Sequence, residues 1–317
     1  MIIIITLALI LLILLYFSNY KLSQSVSIIV FSLFFLNLII KLLNKNLTES
    51  TDFLTYISAF NSIINLDFYN MVKTDIFEIL FRVMSWLFMH FFPNSTFIIF
   101  VILINVILSI SIYRFFDDKI LSIFSLLIYT YSPLFFSMST NILRQMLVIS
   151  IIMLVLTLNK EKRWISLIFP TIHFSSIVFI IFIYFQKYIK VKYFVSIGVF
   201  CLFLFVTNLN SRIFGSLPIV SDYTSQQTFE NYGGQPNRLD FLIFTIFIVL
   251  VSLVLYKLKL ISTLWLKYSL FSSSYYLMFA FQAFSERYAI YNWILLIFLL
   301  PLILQAIKRR FMYKWKF

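Results

Sequence analysis

Asn141, Arg144 and Gln145 fall within five residues, at the head of an apolar run over 146–158. On a helix, positions three and four apart share a face, so the spacing predicts one polar patch at a helix start. A guanidinium in bilayer hydrocarbon costs roughly 2.5–3.5 kcal/mol on insertion scales. The planar fork of arginine binds phosphate through two parallel donors and stays charged. The patch therefore suits an anionic head group held at a membrane surface. The structural alternative is an arginine that snorkels to the interface beside ordinary helix-start residues. Three polar residues in one turn weigh toward a functional role.

Other residues could complete such a site. His173 lies mid-segment within 170–176, with Pro170 before it and Ser175 and Ser176 after it. A buried histidine can act as a general base or donate to a phosphate oxygen, or it can simply be satisfied by a backbone carbonyl. Asp52 and Tyr56 are four apart and share a face if 51–56 is helical. The carboxylate could accept a proton from a sugar hydroxyl, while a plain helix cap is the simpler role. Glu78 and Arg82 have the spacing of a helix ion pair, which would let 76–92 sit at the membrane. Arg287 and Tyr288 open the last helix, where the arginine is a second candidate anion contact. Tyr288 also fits an interfacial aromatic belt. Arg238 and Asp240 border the longest polar stretch and are weaker candidates.

The elements that must carry these residues are membrane helices. The chain has 317 residues, 62% hydrophobic and 12% charged, with 40 Phe and 19 Tyr. Apolar runs are continuous, so the expectation is an all-α polytopic transmembrane protein rather than a β-barrel. Runs long enough to cross lie at about 2–17, 26–43, 96–113, 120–136, 141–158, 193–207, 241–256, 261–281 and 290–307. With two interrupted stretches, 76–92 and 164–185, that makes about 9–11 membrane segments in a single integral-membrane domain over 1–317. The first run has no basic n-region and no small-residue cleavage site, so it reads as a retained helix.

Charge sets the expected orientation. Lys308, Arg309, Arg310, Lys314 and Lys316 make the C-terminal tail cytoplasmic by the positive-inside rule. Counting back, 208–240 becomes an outer loop, and Lys187, Lys190 and Lys192 are inside. Lys160, Lys162 and Arg163 also favour the inside, although one apolar stretch separates the two basic groups. A re-entrant hairpin over 164–185, broken at Pro170 and turning near His173, removes the conflict. A single crossing with one misplaced basic loop is the alternative. The hairpin over 164–185 puts Arg144 at the outer face, and treating 76–92 in the same way makes 44–75 an outer loop.

Some chemistries find no residues to carry them. The formal charge of +13 is accounted for by cytoplasmic loops, so nucleic acid is not an expected partner. Four glycines form no phosphate-binding loop, and no zinc spacing or nucleophile elbow is present. One cysteine, Cys201, allows no disulfide within the chain. No cofactor or metal is expected, so the driving force must be a gradient or an activated substrate.

Four motifs taken in order resemble the EpsG family, which is related to Wzy-type polysaccharide polymerases. They are Thr51-Asp52-Phe53 with Tyr56, Phe77-Glu78-Ile79, Asn141-Ile142-Leu143-Arg144-Gln145, and His173-Phe174-Ser175-Ser176. The resemblance covers about 48–185, with an echo at Arg287-Tyr288. It departs at Ser50, where the family has glycine, and at Glu49, where the family tends to be basic. The resemblance implies a membrane glycosyltransferase that joins oligosaccharide repeats on undecaprenyl diphosphate at the outer face of the bacterial inner membrane. The product would be O-antigen, capsule or exopolysaccharide. It implies catalytic roles for Arg144, His173 and Asp52. Asn141, Gln145, Tyr56, Glu78, Arg287, Tyr288 and Arg238 would contact substrate. The partners it implies are the lipid-linked oligosaccharide, membrane lipid, and a chain-length regulator and flippase of the same pathway. A flippase for the same lipid-linked sugar is the alternative.

Overall fold

The computed structural model describes residues 2–18, 23–46, 48, 52–215 and 235–314. Its regular elements are all helical, and the family of folds is the polytopic all-α one. Four helical stretches are long and apolar enough to cross a membrane: Gln24–Leu43, Pro93–Phe115, Leu239–Lys257 and Ser285–Arg310. A fifth is the pair Lys119–Tyr131 and Pro133–Asn141 counted as one span, although a 70° bend separates its halves. Other apolar helices run 12 to 16 residues, at about 1.5 Å per residue too short to cross ~30 Å of hydrocarbon alone. The chain forms two compact units, Met1–Ile183 and Tyr184–Phe317.

In the first unit, α1 (Ile2–Phe17) and α2 (Gln24–Leu43) precede two short helices, α3 (Phe53–Ile64) and α4 (Phe68–Lys73). The stretch 44–75, expected as a loop, is therefore largely helical. Its apolar positions recur at helical spacing, and Tyr56, Phe60 and Ile63 form a buried face. Then follow α5 (Ile79–Phe91) and α6 (Thr96–Phe115). Next come α7 (Lys119–Tyr131), α8 (Pro133–Asn141) and α9 (Leu143–Thr157). The α9 helix is apolar all round and buried on nearly every side, with α6 as its most extensive neighbour. A helix of that composition belongs at the centre of a bundle. The buried Asn105 of α6 accepts from the Tyr129 hydroxyl of α7 at 2.7 Å, a polar link of the kind that fixes helix register in an apolar setting.

Two expectations about helix breaks are corrected. Asn141 does not start the helix that carries Arg144. It ends α8, and Ile142 breaks the chain with φ −104° and ψ 66°. The helix-face argument that stacked Asn141 over Arg144 therefore fails. The second concerns 164–185. A 3₁₀ helix, Lys160–Ile168, leads into α10 (Phe169–Ile172), with Pro170 in its first turn. Proline is tolerated there because the missing N–H has no helical acceptor. The break falls at His173, which is extended (φ −154°, ψ 112°), and α11 (Ile177–Phe185) follows.

The second unit holds α12 (Val191–Val206), α13 (Leu209–Phe214), α14 (Leu239–Lys257), α15 (Thr263–Phe279), α16 (Ser285–Trp293) and α17 (Leu296–Lys314). The expected outer loop 208–240 begins as α13, and 216–234 lie outside the described residues. The α15 helix is the hub, packing on α12, α14 and α16. A Cβ at Gly198 of α12 would meet Ser274 Oγ of α15 at 3.6 Å, an ordinary contact, so the packing of these two helices does not depend on the glycine. A seam of neutral polar groups joins the other helices. Ser252 donates to Ser269 (2.9 Å), Trp293 Nε1 to Thr245 (3.0 Å), and Tyr268 to the Tyr291 carbonyl (3.0 Å). Small and hydroxylated side chains serve this role where apolar attraction between helices is weak.

Candidate functional site

Glu78 is the centre of the site in the first unit. It occupies the N-cap position of α5 but makes no side-chain cap bond. Glutamate is not among the favoured cap residues. With φ −62° and ψ 149° its backbone is extended, and the carboxylate reaches other elements instead. Oε2 accepts from Arg144 Nη1 at 2.7 Å. Oε1 lies 3.2 Å from His173 Nδ1 and accepts from the Phe174 backbone N–H at 2.9 Å. One carboxylate thus holds three groups separated by 66 to 96 residues in sequence.

The path of the chain explains how His173 arrives there. Arg144 is in the first turn of α9, and Thr157 ends that helix about 20 Å away. The 3₁₀ helix Lys160–Ile168 and α10 pack back along α9. Nine residues at ~2 Å rise cover most of the return. The chain at His173 is therefore back at the Arg144 end. Ser176 Oγ donates to the His173 carbonyl at 2.5 Å and steadies the extended break.

Aromatic packing fixes the frame. Tyr56, Phe60, Phe77, Phe81, Phe97 and Phe100 interlock α3, α5 and α6, with Phe81 stacked on Phe100 at 4.4 Å. Arg144 lies over the Phe77 ring at 4.9 Å, which adds cation–π attraction to its ion pair. The Arg144 backbone N–H, one of the unpaired donors of the first turn, points to the Tyr56 hydroxyl at 3.4 Å. Trp86 Nε1 donates to the Leu66 carbonyl at 3.0 Å and ties α5 to the α3–α4 corner.

Charge at Glu78 follows from competing causes. Burial alone raises its pKa. The His173 hydrogen bond, the Arg144 charge and the Phe174 N–H together outweigh that and hold the carboxyl at about 2. Glu78 is therefore an ionised clamp rather than a proton donor. Because it faces Nδ1, Nε2 is the His173 nitrogen suited to proton transfer when Nδ1 carries a proton.

The other expected residues divide between the units. Asp52 is at the N-cap position of α3, one turn from Tyr56, and makes no side-chain cap bond. Gln145 is buried beside Arg144 in α9. Asn141 donates to Ser137 Oγ at 3.2 Å, and its Oδ1 is buried without a hydrogen bond. Arg144 Nε is buried in the same condition. Arg238, Arg287 and Tyr288 belong to the second unit. Arg238 pairs with Asp240, at 3.0 Å through Nε, and stacks on Phe241 at 3.7 Å. Arg287 lies over Phe284 at 4.5 Å, and Tyr288 donates to Gln282 at 2.7 Å.

The ion pair expected between Glu78 and Arg82 is absent. The local spacing rule pointed to a partner one turn away, but Glu78 precedes the helix and turns to Arg144. What the sequence did not reveal is this long-range pairing and the contributions of Phe77 and the Phe174 N–H. An acid at a cap position usually held by Ser, Thr, Asp or Asn was the available signal.

A search of curated proteins and a search of solved structures each found no match. A model of the EpsG family matches residues 45–316, which takes in every residue of the Arg144–Glu78–His173 group. With most of its length matched and its apolar helices described, the chain is a membrane protein of polysaccharide biosynthesis that belongs to the EpsG family, whose members are Wzy-like polymerases.

Proposed function

We propose that this chain joins undecaprenyl-diphosphate-linked oligosaccharide repeats at the outer face of the bacterial inner membrane, with its C-terminus in the cytoplasm. The observation that carries the reading is the shared Glu78 carboxylate, which holds an arginine and a histidine together. Transfer of a glycan from a lipid diphosphate needs those two functions close to each other. The acceptor hydroxyl oxygen bonds to the anomeric carbon as that carbon's bond to the diphosphate oxygen breaks. His173 takes the hydroxyl proton as general base. Arg144 and the first-turn N–H groups of α9 meet the negative charge that grows on the leaving diphosphate. Glu78 orients both and stabilises the imidazolium. Tyr56, Asn141 and Gln145 line the arginine's surroundings and position substrate, with Asp52 near the acceptor. A flippase and a chain-length regulator supply and limit the reaction.

Reconstitution with two lipid-linked repeats tests the proposal. Wild-type protein should form new glycosidic bonds, while Arg144→Ala should leave single repeats at normal protein levels. Long chains from Arg144→Ala would sink the assignment. Movement of the lipid-linked sugar across the bilayer without new bonds would assign a flippase instead.

A further inference from the structure

Lys41 stands in the last turn of α2, a helix long and apolar enough to cross a membrane. A lysine so placed can snorkel past the helix end to water. This one turns to the protein instead. Its Nζ donates to the Thr130 carbonyl at 2.6 Å. It also lies over the Tyr131 ring at 4.9 Å and the Phe136 ring at 4.2 Å. Thr130 and Tyr131 close α7, whereas Phe136 belongs to α8. The ammonium therefore sits in the elbow between these helices, which are bent by 70°.

The elbow has a use for a cation. The last turn of a helix leaves carbonyls without helical donors, and Pro133, which opens α8, has no N–H to offer them. Positive charge suits the C-terminal end of a helix, and the two ring faces add attraction. Neighbours on α2 extend the contact. Four residues before Lys41, Asn37 Nδ2 donates to the Tyr131 hydroxyl at 2.6 Å. Four residues after it, Lys45 Nζ donates to Thr140 Oγ1 and lies over Phe136 at 5.5 Å. The α2 helix packs on α7, and through the two lysines it also holds α8 at Phe136 and Thr140.

The α8 helix leads directly to the site. Thr140 and Asn141 end it, Ile142 breaks the chain, and Arg144 is in the first turn of α9. The direction in which α8 leaves the elbow sets where that turn begins.

We infer that Lys41 is a positioning residue for Arg144: by holding the 70° elbow it fixes the end of α8 from which the Arg144 turn starts. The inference rests on the glycan-transfer reading above and adds to it a residue that lies outside the four sequence motifs.

The test measures turnover of two lipid-linked repeats by full-length protein in proteoliposomes. Lys41→Met keeps the apolar stem and removes the cation. It should lower kcat about tenfold and leave KM within about twofold, since a 1 Å misplacement of a reacting group can cost about a hundredfold. Lys41→Arg, which can reach the same carbonyl and rings, should restore most of the rate. The deciding measurement is a double-mutant cycle with Arg144→Lys, which keeps a charge at the site. There Lys41→Met should cost less than about twofold further, because the contact that Lys41 positions is already lost. A further tenfold loss in that background would overturn the inference, by showing that Lys41 serves the fold as a whole. An unchanged kcat in Lys41→Met would overturn it too. If Lys41→Met fails to fold, Phe136→Leu removes one ring and leaves the carbonyl bond. It should show the same pattern at about threefold, and an equal loss with and without Arg144→Lys would again overturn the inference. Each of these results leaves the parent reading standing. Wild-type protein that forms no glycosidic bonds would remove the parent reading and this inference with it.

Discussion

Glu78 in the first unit gathers a guanidinium, an imidazole and a backbone N–H, whereas Asn292 in the second gives its amide to the Ser269 carbonyl (3.0 Å) and Ser272 Oγ (3.1 Å). Both are polar clusters inside apolar helices. The second is neutral and built from groups on α14, α15 and α16 that bond to one another, with the neutral Asn292 Oδ1 left buried without a partner. The first is charged, and the Arg144 Nε donor remains unused. Neutral dipoles hold helices together at modest cost. Charge is expensive to bury, and unsatisfied charge more so. The difference separates a cluster that serves the fold from one arranged around something the chain does not itself supply.

Removing the clamp should give the largest effect. Glu78→Ala leaves Arg144 uncompensated and His173 unoriented. Breaking a fully buried pair costs about 3–5 kcal/mol. Here Arg144 and Glu78 keep 30% and 18% side-chain exposure, so solvent screening lowers the expected loss to about 1–3 kcal/mol. Chain-length ladders should collapse to single repeats. Thermal melting of purified protein together with ladder gels checks both. A variant that polymerises normally would place the two clusters in the same class.

The pH dependence of that clamp is next in size. The folded-state value of about 2 lies below the ordinary 4.5, so ionised Glu78 stabilises the fold. That stabilisation is fully present above about pH 4.5 and is lost as the pH falls toward 2. Melting temperature measured from pH 6 down to pH 3 should fall more steeply for wild type than for Glu78→Gln. Parallel curves would mean that the carboxylate carries no charge-dependent role.

How far these clusters could be read from sequence differs for a physical reason. Continuous apolar runs announce membrane helices because burial in hydrocarbon demands them, and α2, α6 and α14 fall within two residues of the runs that predicted them. Arg144 and His173 stood out because polar groups are costly in such surroundings. Their meeting through Glu78 was not legible, since pairing across 66 or 95 residues depends on how α5, α9 and the 3₁₀ helix pack. The helix break at Ile142 was also missed, and the break expected at Pro170 falls three residues on, at His173, near which the turn was expected. Neither is a proline or glycine, so no local breaker marks them, while Pro170 drew attention and proved to be an ordinary helix start. The helices within 44–75 were hidden by interspersed polar residues, which face away from the buried Tyr56, Phe60 and Ile63.

Asn292→Ala tests the neutral cluster. It removes two hydrogen bonds to α15, each with a net worth of about 1 kcal/mol or less in such settings. Melting temperature should fall by a few degrees while the chain-length ladder keeps its form. A change in product length at unchanged stability would mean that the second cluster also takes part in the reaction.

The smallest effect is expected at Arg238. Its pair with Asp240 is only two residues away in sequence, and the two side chains are 37% and 60% exposed. An ion pair in that setting is worth below about 1 kcal/mol, because water screens it and two long side chains lose freedom in forming it. Arg238→Ala should therefore leave the melting temperature nearly unchanged, and raising salt should abolish any difference. Its effect on polymerisation is the more informative reading. Arg144 and Arg238 are each paired with a carboxylate, yet only Arg144 is held by a buried aromatic frame and next to a histidine. A loss of long chains in Arg238→Ala as complete as in Arg144→Ala would show that burial and clamping do not mark the reactive arginine, and that an exposed pair at the head of α14 does equal work on the substrate.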